Sequence, residues 1–237
     1  MPPVNNAVGK SCIAKTGKVS TAAPPPHSYM DAMERAVRSF VVTLSGQLSG
    51  SYASAQSGKT HAEESGATDT HIFDSKSAAA AEVLIAIKIR ELISKGLPKD
   101  QIITSINNFI SNMKTYFVLE CYDNLINNGR LSKIKGKIIT VLNIKVIMGA
   151  NENGEIALFA KARGTKQMLE KMVAFVESSK KPTTGESMVI THVNNPTLAQ
   201  QLSDMVKQKF DFKEVLIVPA RGISTVYADD QGVIMAF

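Results

Sequence analysis

The sequence predicts an α/β protein of two domains: a doubly wound, mainly parallel sheet over residues 1–150, then a mixed α+β domain over 151–237. Three observations predict it. Short, nearly continuous apolar runs such as Phe40-Val41-Val42-Thr43-Leu44 have the composition of strands buried on both faces. Each is followed by a Gly/Ser turn and then a helical pattern, the order of a βαβ unit. A hairpin turn signal, Asn151-Glu152-Asn153-Gly154, appears only after residue 150.

In chain order, residues 1–26 carry little periodicity and end in Ala22-Ala23-Pro24-Pro25-Pro26, a stiff extended run. Ser28, with Asp31 three positions later, has capping-box spacing and predicts a helix through about residue 38. The strand at 40–44 leads through Ser45-Gly46-Gln47-Leu48-Ser49-Gly50-Ser51 into an Ala/Ser-rich helix. His71-Ile72-Phe73-Asp74 is the next strand, Ser75-Lys76-Ser77 a turn, and 78–94 a helix closed by Gly96. Pro98 sits at the start of a helix reaching about Met113. Strands are predicted at Tyr116-Phe117-Val118-Leu119 and Lys145-Val146-Ile147-Met148, with a turn at Asn127-Asn128-Gly129-Arg130 between them. Beyond the hairpin signal and Ile156-Ala157-Leu158-Phe159, Met168, Leu169, Met172, Val173 and Val176 recur at helical spacing. Strand 188–193 runs into Asn195-Pro196, an N-cap followed by a first-turn proline. A helix bearing Leu198, Leu202, Met205, Val206 and Phe210, strand 214–218 and a terminal strand at 233–237 complete the chain.

Composition narrows the function classes. The 237 residues are 44% hydrophobic without a single Trp, so the core rests on aliphatic side chains and Met. No apolar run approaches the roughly 20 residues of a membrane span, and the start has no basic segment followed by an apolar one. Cys12 and Cys121 lie far apart, which fits a reducing compartment. The expectation is a cytoplasmic protein without stable membrane insertion. Net charge is +6, and residues 130–181 hold eleven Lys and Arg against four Glu. That basic face suits an anionic ligand or an acidic partner. It lacks the interleaved aromatics and motifs of a nucleic-acid binder, so no nucleic acid is expected.

Catalytic motifs fail on inspection. Ser57-Gly58-Lys59-Thr60 resembles the tail of a P-loop, but Ala53 stands where the first glycine is required. In Gly46-Gln47-Leu48-Ser49-Gly50 the Ser is one position too late for a nucleophile elbow. His27, His61, His71 and His192 have no ligand spacing, and Asp229-Asp230 before Gln231-Gly232 reads as a turn between strands. No catalytic residue, metal or cofactor is therefore assigned. What remains is hydroxyls in two loops: Ser20 and Thr21 before the proline run, and Ser45 and Ser49 after a strand. Neutral hydroxyls and backbone N–H groups at a helix start suit a carboxylate that undergoes no covalent chemistry.

These loops carry a family resemblance. Ser45-Gly46-Gln47-Leu48-Ser49-Gly50-Ser51-Tyr52-Ala53-Ser54-Ala55 resembles the Ser-Ser-x-Leu-Ser-Gly-Thr-Tyr-x-Ser-Ala segment of the DegV family. Ile72-Phe73-Asp74-Ser75-Lys76-Ser77 is similar to its next strand and turn, Asn128-Gly129-Arg130-Leu131-Ser132-Lys133 to its Gly-Gly-Arg-Ile-Ser-Lys turn, and Leu142-Asn143-Ile144-Lys145 to its Leu-Asn-Ile-Lys-Pro strand. Ser20-Thr21-Ala22-Ala23-Pro24-Pro25 falls on Thr-Ser-Gln-Pro-Ser-Pro, and Lys161 to Lys166 on Lys-Val-Arg-Thr-Arg-Lys.

The resemblance implies a long-chain fatty acid such as palmitate in a ligand tunnel between two domains. Its carboxylate would be held by Ser20, Thr21, Ser45 and Ser49, with Arg163 near the exit. It also implies a non-catalytic role, presenting the acid to a separate fatty acid kinase subunit that forms the acyl phosphate. Gly46 replaces a usual Ser, the C-terminal Gly-Thr-His-x-Gly-Pro-Gly segment reads Ser224 to Gly232 without its His, and the opening Asp-Ser strand is not recognisable, so that either the chain is truncated or its first 17 residues have diverged. The alternatives are an α/β enzyme of kinase-like or hydrolase type acting on a small acid, and an interaction module using the basic face.

Overall fold

The computed structural model describes residues 19–64, 66, 69–131 and 143–237. Lys133, Lys135, Lys137, most of the Leu131–Ile144 stretch and the opening-strand question lie outside them. The chain forms two compact units. One comprises Ala22–Met113 with Ala150–Glu155, the other Met1–Thr21, Lys114–Gly149 and Ile156–Phe237.

In the first of these units, strands β1 (Arg38–Thr43) and β2 (Asp69–Asp74) pair in parallel, Phe40 beside His71 and Val42 beside Phe73. Helices cover both faces, which is why the strand sequences are apolar without alternation. Phe40, Val42 and Phe73 face Ile85, Ile89 and Leu92 of α3 (Ala80–Ser94) and Ile102, Ile106 and Ile110 of α4 (Lys99–Asn112). Val41 and Ile72 face Met33 of α1 (Pro26–Met33) and Ala55 and Ala62 of α2 (Ser51–Glu64). Gly58 of the failed P-loop sits inside α2, where a Cβ would lie 2.5 Å from the Pro26 carbonyl oxygen, so it serves close helix packing. Helix α1 begins at Pro26 and not at the Ser28 box, because a proline loses nothing at the first helical position. It ends at Met33, and Arg38 already opens β1.

Glu82, on the first turn of α3, accepts a hydrogen bond from the Ala79 backbone N–H at 3.0 Å. Burial nevertheless pushes its carboxyl up from 4.5 to about 7.

The other unit holds a six-strand sheet in the order β5-β4-β3-β8-β6-β7. Its strands are β3 (Thr115–Val118), β4 (Ile144–Ala150), β5 (Ile156–Arg163), β6 (Ser187–His192), β7 (Glu214–Pro219) and β8 (Val233–Ala236). The predicted strands at 116–119 and 145–148 thus belong here, not to the sheet of residues 38–74. The sheet is mixed: β6 and β7 run parallel, while β3 is antiparallel to β4 and β8, and β6 to β8. The α/β class expected from the sequence holds, with a two-stranded parallel sheet in one unit and a mixed six-strand sheet in the other, and the strands at 116–119 and 145–148 lie in the mixed sheet. Apolar runs report burial, whereas strand direction is decided by partners far away in sequence.

Met168, Leu169, Met172, Val173 and Val176 of α6 (Gly164–Ser178) and Leu202 and Val206 of α7 (Pro196–Lys209) cover one face of this sheet. The Asn195 side chain caps α7 by accepting from Leu198 N, as its position before Pro196 predicts. The opposite face carries Leu125 of the short helix α5 (Asp123–Asn127) and Ala228 of α8 (Ile223–Ala228), packed with Leu119, Val146 and Met148. The Asn151–Gly154 turn forms as predicted: Gly154 takes φ +81°, and Asn151 N donates to Glu155 O at 2.9 Å. Asp229 and Asp230 turn the chain from α8 into β8, and not between two strands. Among the described residues no helix is long and apolar enough to cross a membrane.

Candidate functional site: two hydroxyl loops

The carboxyl ends of β1 and β2 meet in a network of small polar groups. In open α/β sheets ligands tend to lie outside the carboxyl ends of the strands. Ser45, just past β1, is fully buried. Its Oγ donates to Gly154 O at 2.7 Å and accepts from Gln47 N at 3.2 Å. Its carbonyl accepts from Leu48 N and Ser49 N. The one hydroxyl proton of Ser45 is thus committed inside the protein, and the residue anchors the turn. Asp74, at the end of β2, accepts from Gly46 N and Lys76 N, which ties the two strand ends together.

Ser49 is half-buried at the start of α2. Its Oγ accepts from Ser51 N at 3.2 Å and lies 2.8 Å from Ser51 Oγ. Only one of the two hydroxyl protons can lie between those oxygens. The Ser49–Ser51 pair therefore retains a donor for an external anion, which Ser45 does not.

In the unit with the six-strand sheet, Ser20 is exposed and Thr21 half-buried. Thr21 Oγ1 lies 2.6 Å from the Tyr227 hydroxyl on α8. The segment is held from α5 as well: Asn128 Nδ2 donates to Val19 O at 2.9 Å, and Asn124 Nδ2 reaches Val226 O on α8 at 2.8 Å. Arg130 donates to Asn128 O at 2.6 Å and places its guanidinium 5.6 Å from the Tyr227 ring centre. Arg163 ends β5 with an exposed side chain, and its backbone N–H donates to Gln167 Oε1 at 2.6 Å.

Of the predicted residues, the fold brings Ser45 and Ser49 together in one turn and fixes Thr21 against Tyr227. Ser20, Thr21 and Arg163 belong to one unit, Ser45 and Ser49 to the other. Sequence reasoning missed Tyr227, Asn128 and Asp74 as parts of these loops. The Asn128-Gly129-Arg130 motif was a usable signal for the second. No group of three metal-ligating side chains occurs among the described residues. His71 and His192 are both held below the usual imidazole range by burial first, His71 further by Lys59 and Lys99.

Two α/β units, each with a loop that carries serine or threonine hydroxyls, are the class of protein that the fold and these loops define. The sequence pattern of the DegV family matches residues 11–235, and the chain belongs to that family. A DegV domain-containing protein of Streptococcus gordonii is 39% identical over 218 residues, 92% of this chain and 77% of that protein. Among solved structures, a DegV family protein from Ruminococcus gnavus, refined with vaccenic acid, superposes with a TM-score of 0.95 at 38% identity, covering 100% of this chain and 86% of that one. The Fatty Acid Kinase (Fak) B3 protein of Streptococcus pneumoniae, loaded with linoleic acid, gives 0.89 at 32% identity, covering 98% and 82%.

Proposed function

We propose that this chain binds one long-chain fatty acid, of which palmitate is representative, and presents it to a separate kinase without catalysing a reaction itself. The observation that carries the reading is the likeness to the Ruminococcus gnavus protein, 38% identical at a TM-score of 0.95 and refined with vaccenic acid. The two loops support it chemically. Ser20, Thr21 and the Ser49–Ser51 pair supply neutral donors for a carboxylate, while Ser45 holds its turn in shape. Burying a sixteen-carbon tail at about 0.8 kcal/mol per methylene offers on the order of 10 kcal/mol before ordering costs. The tail supplies affinity and the hydroxyls supply orientation. Arg163, exposed beside Lys161 and Lys166, is the cation proposed to meet the kinase or the emerging head group.

The test is mass spectrometry of lipid extracted from protein purified without added ligand, followed by titration of the delipidated chain with palmitate. A stoichiometric C14–C18 acid is expected. An empty protein that fails to take up palmitate would remove the proposal. Consumption of ATP and fatty acid by the chain alone would overturn its non-catalytic part.

A further inference from the structure

The contact between Thr21 and Tyr227 joins a residue that the sequence motifs single out to one that they do not. Resting on the fatty-acid reading above, we infer that Tyr227 is a positioning residue for the acyl carboxylate, acting through Thr21. The two oxygens lie 2.6 Å apart and half-buried. At that distance one proton lies between them, and chemistry decides whose. A phenol is the stronger donor and the weaker acceptor of the pair, so Tyr227 donates and Thr21 Oγ1 accepts. The Thr21 proton is then turned away from Tyr227, free for an anion. Each bond in such a chain strengthens the next, so Thr21 becomes a better donor to a carboxylate than an isolated alcohol.

The surroundings fix this arrangement. Arg130 sits 5.6 Å from the Tyr227 ring centre, where a cation draws density from the ring and favours the phenol as donor. Arg130 is itself held by its bond to Asn128 O, and Asn128 grips Val19 O two residues before Thr21. Asn124 holds the Val226 carbonyl, adjacent to Tyr227. Both partners of the 2.6 Å contact are thus clamped through their neighbouring backbone.

The experiment uses the delipidated full chain and two probes, palmitate and methyl palmitate, which share a tail but not a carboxylate. Tyr227→Phe keeps the ring and loses the donor. It is expected to weaken palmitate about tenfold, the scale of a charge-assisted hydrogen bond, and to leave methyl palmitate within about twofold. Thr21→Val should do the same, the double variant should be no weaker than Thr21→Val alone, and Thr21→Ser should restore palmitate binding. Equal losses for both probes, or additive losses in the double variant, would show a merely structural role and overturn the inference. So would Tyr227→Phe binding palmitate like the wild type. A wild-type chain that binds neither probe strikes the parent reading instead, and the two failures are thereby told apart.

Discussion

Glu82 gives the chain a pH dependence of stability that one substitution should erase. Its carboxyl is raised from 4.5 to about 7 because burial penalises the charge more than the Ala79 N–H relieves it. Between those values the folded protein holds a proton that the unfolded chain has released. Stability is therefore fully present below about pH 4.5 and is lost as pH rises through about 7. The gap between the two values corresponds to a loss on the order of 3 kcal/mol. In Glu82→Gln the side-chain carbonyl still accepts from Ala79, but nothing titrates. Urea denaturation followed by far-UV circular dichroism, needed in a chain without Trp, would be run on both proteins from pH 4.5 to 8. Hydrogen exchange of the α3 amides reports the same region directly. The histidines, held low by burial, lose their contribution as pH falls, which is the opposite direction. They are common to both proteins and cancel in the difference. The wild type should fall relative to the variant by about 3 kcal/mol across this range, and then level off. A difference that stays flat, or that grows toward acid, would refute the reasoning.

Ser45→Ala removes the donor to the buried Gly154 carbonyl and should cost about 1–3 kcal/mol in denaturant melts, while palmitate affinity of the folded protein changes less than about twofold. Gly58→Ala forces a methyl to within 2.5 Å of Pro26 O, and should lower stability by about 1–3 kcal/mol with a reduced urea midpoint. Asn195→Ala deletes the cap of α7 and its bond to Gln231 O at 3.0 Å; a loss of about 1 kcal/mol, measured the same way, is expected.

Much of the local structure is legible in the sequence because local rules govern it. Asn195-Pro196 caps a helix, Asn151–Gly154 makes a hairpin turn, and the Met168–Val176 pattern predicts the buried face of α6. Sheet membership is not legible in that way. Tyr116–Leu119 reads as an apolar strand wherever it is placed, and its partners, β4 and β8, begin 29 and 118 residues after Thr115. Helices α5 and α8, of 5 and 6 residues, are too short for a helical period to register. The hydroxyl loops divide along the same line. Spacing marks Ser45 as a candidate donor, but its proton goes to an oxygen 109 residues away. Thr21 finds its partner 206 residues on, in a segment where no motif flags a tyrosine.

The hairpin tip at residues 150–155 belongs to the unit that otherwise ends at Met113. During synthesis, that unit must wait for a further forty or so residues before Ser45 meets Gly154. A ribosome-bound chain stopped at residue 113 would carry β1, β2 and helices α1 to α4, yet retain a buried serine without the Gly154 acceptor for its proton. Completion of this half is thus timed by translation of the other, and a gene fragment cut at residue 113 should yield a looser product than its apolar content suggests.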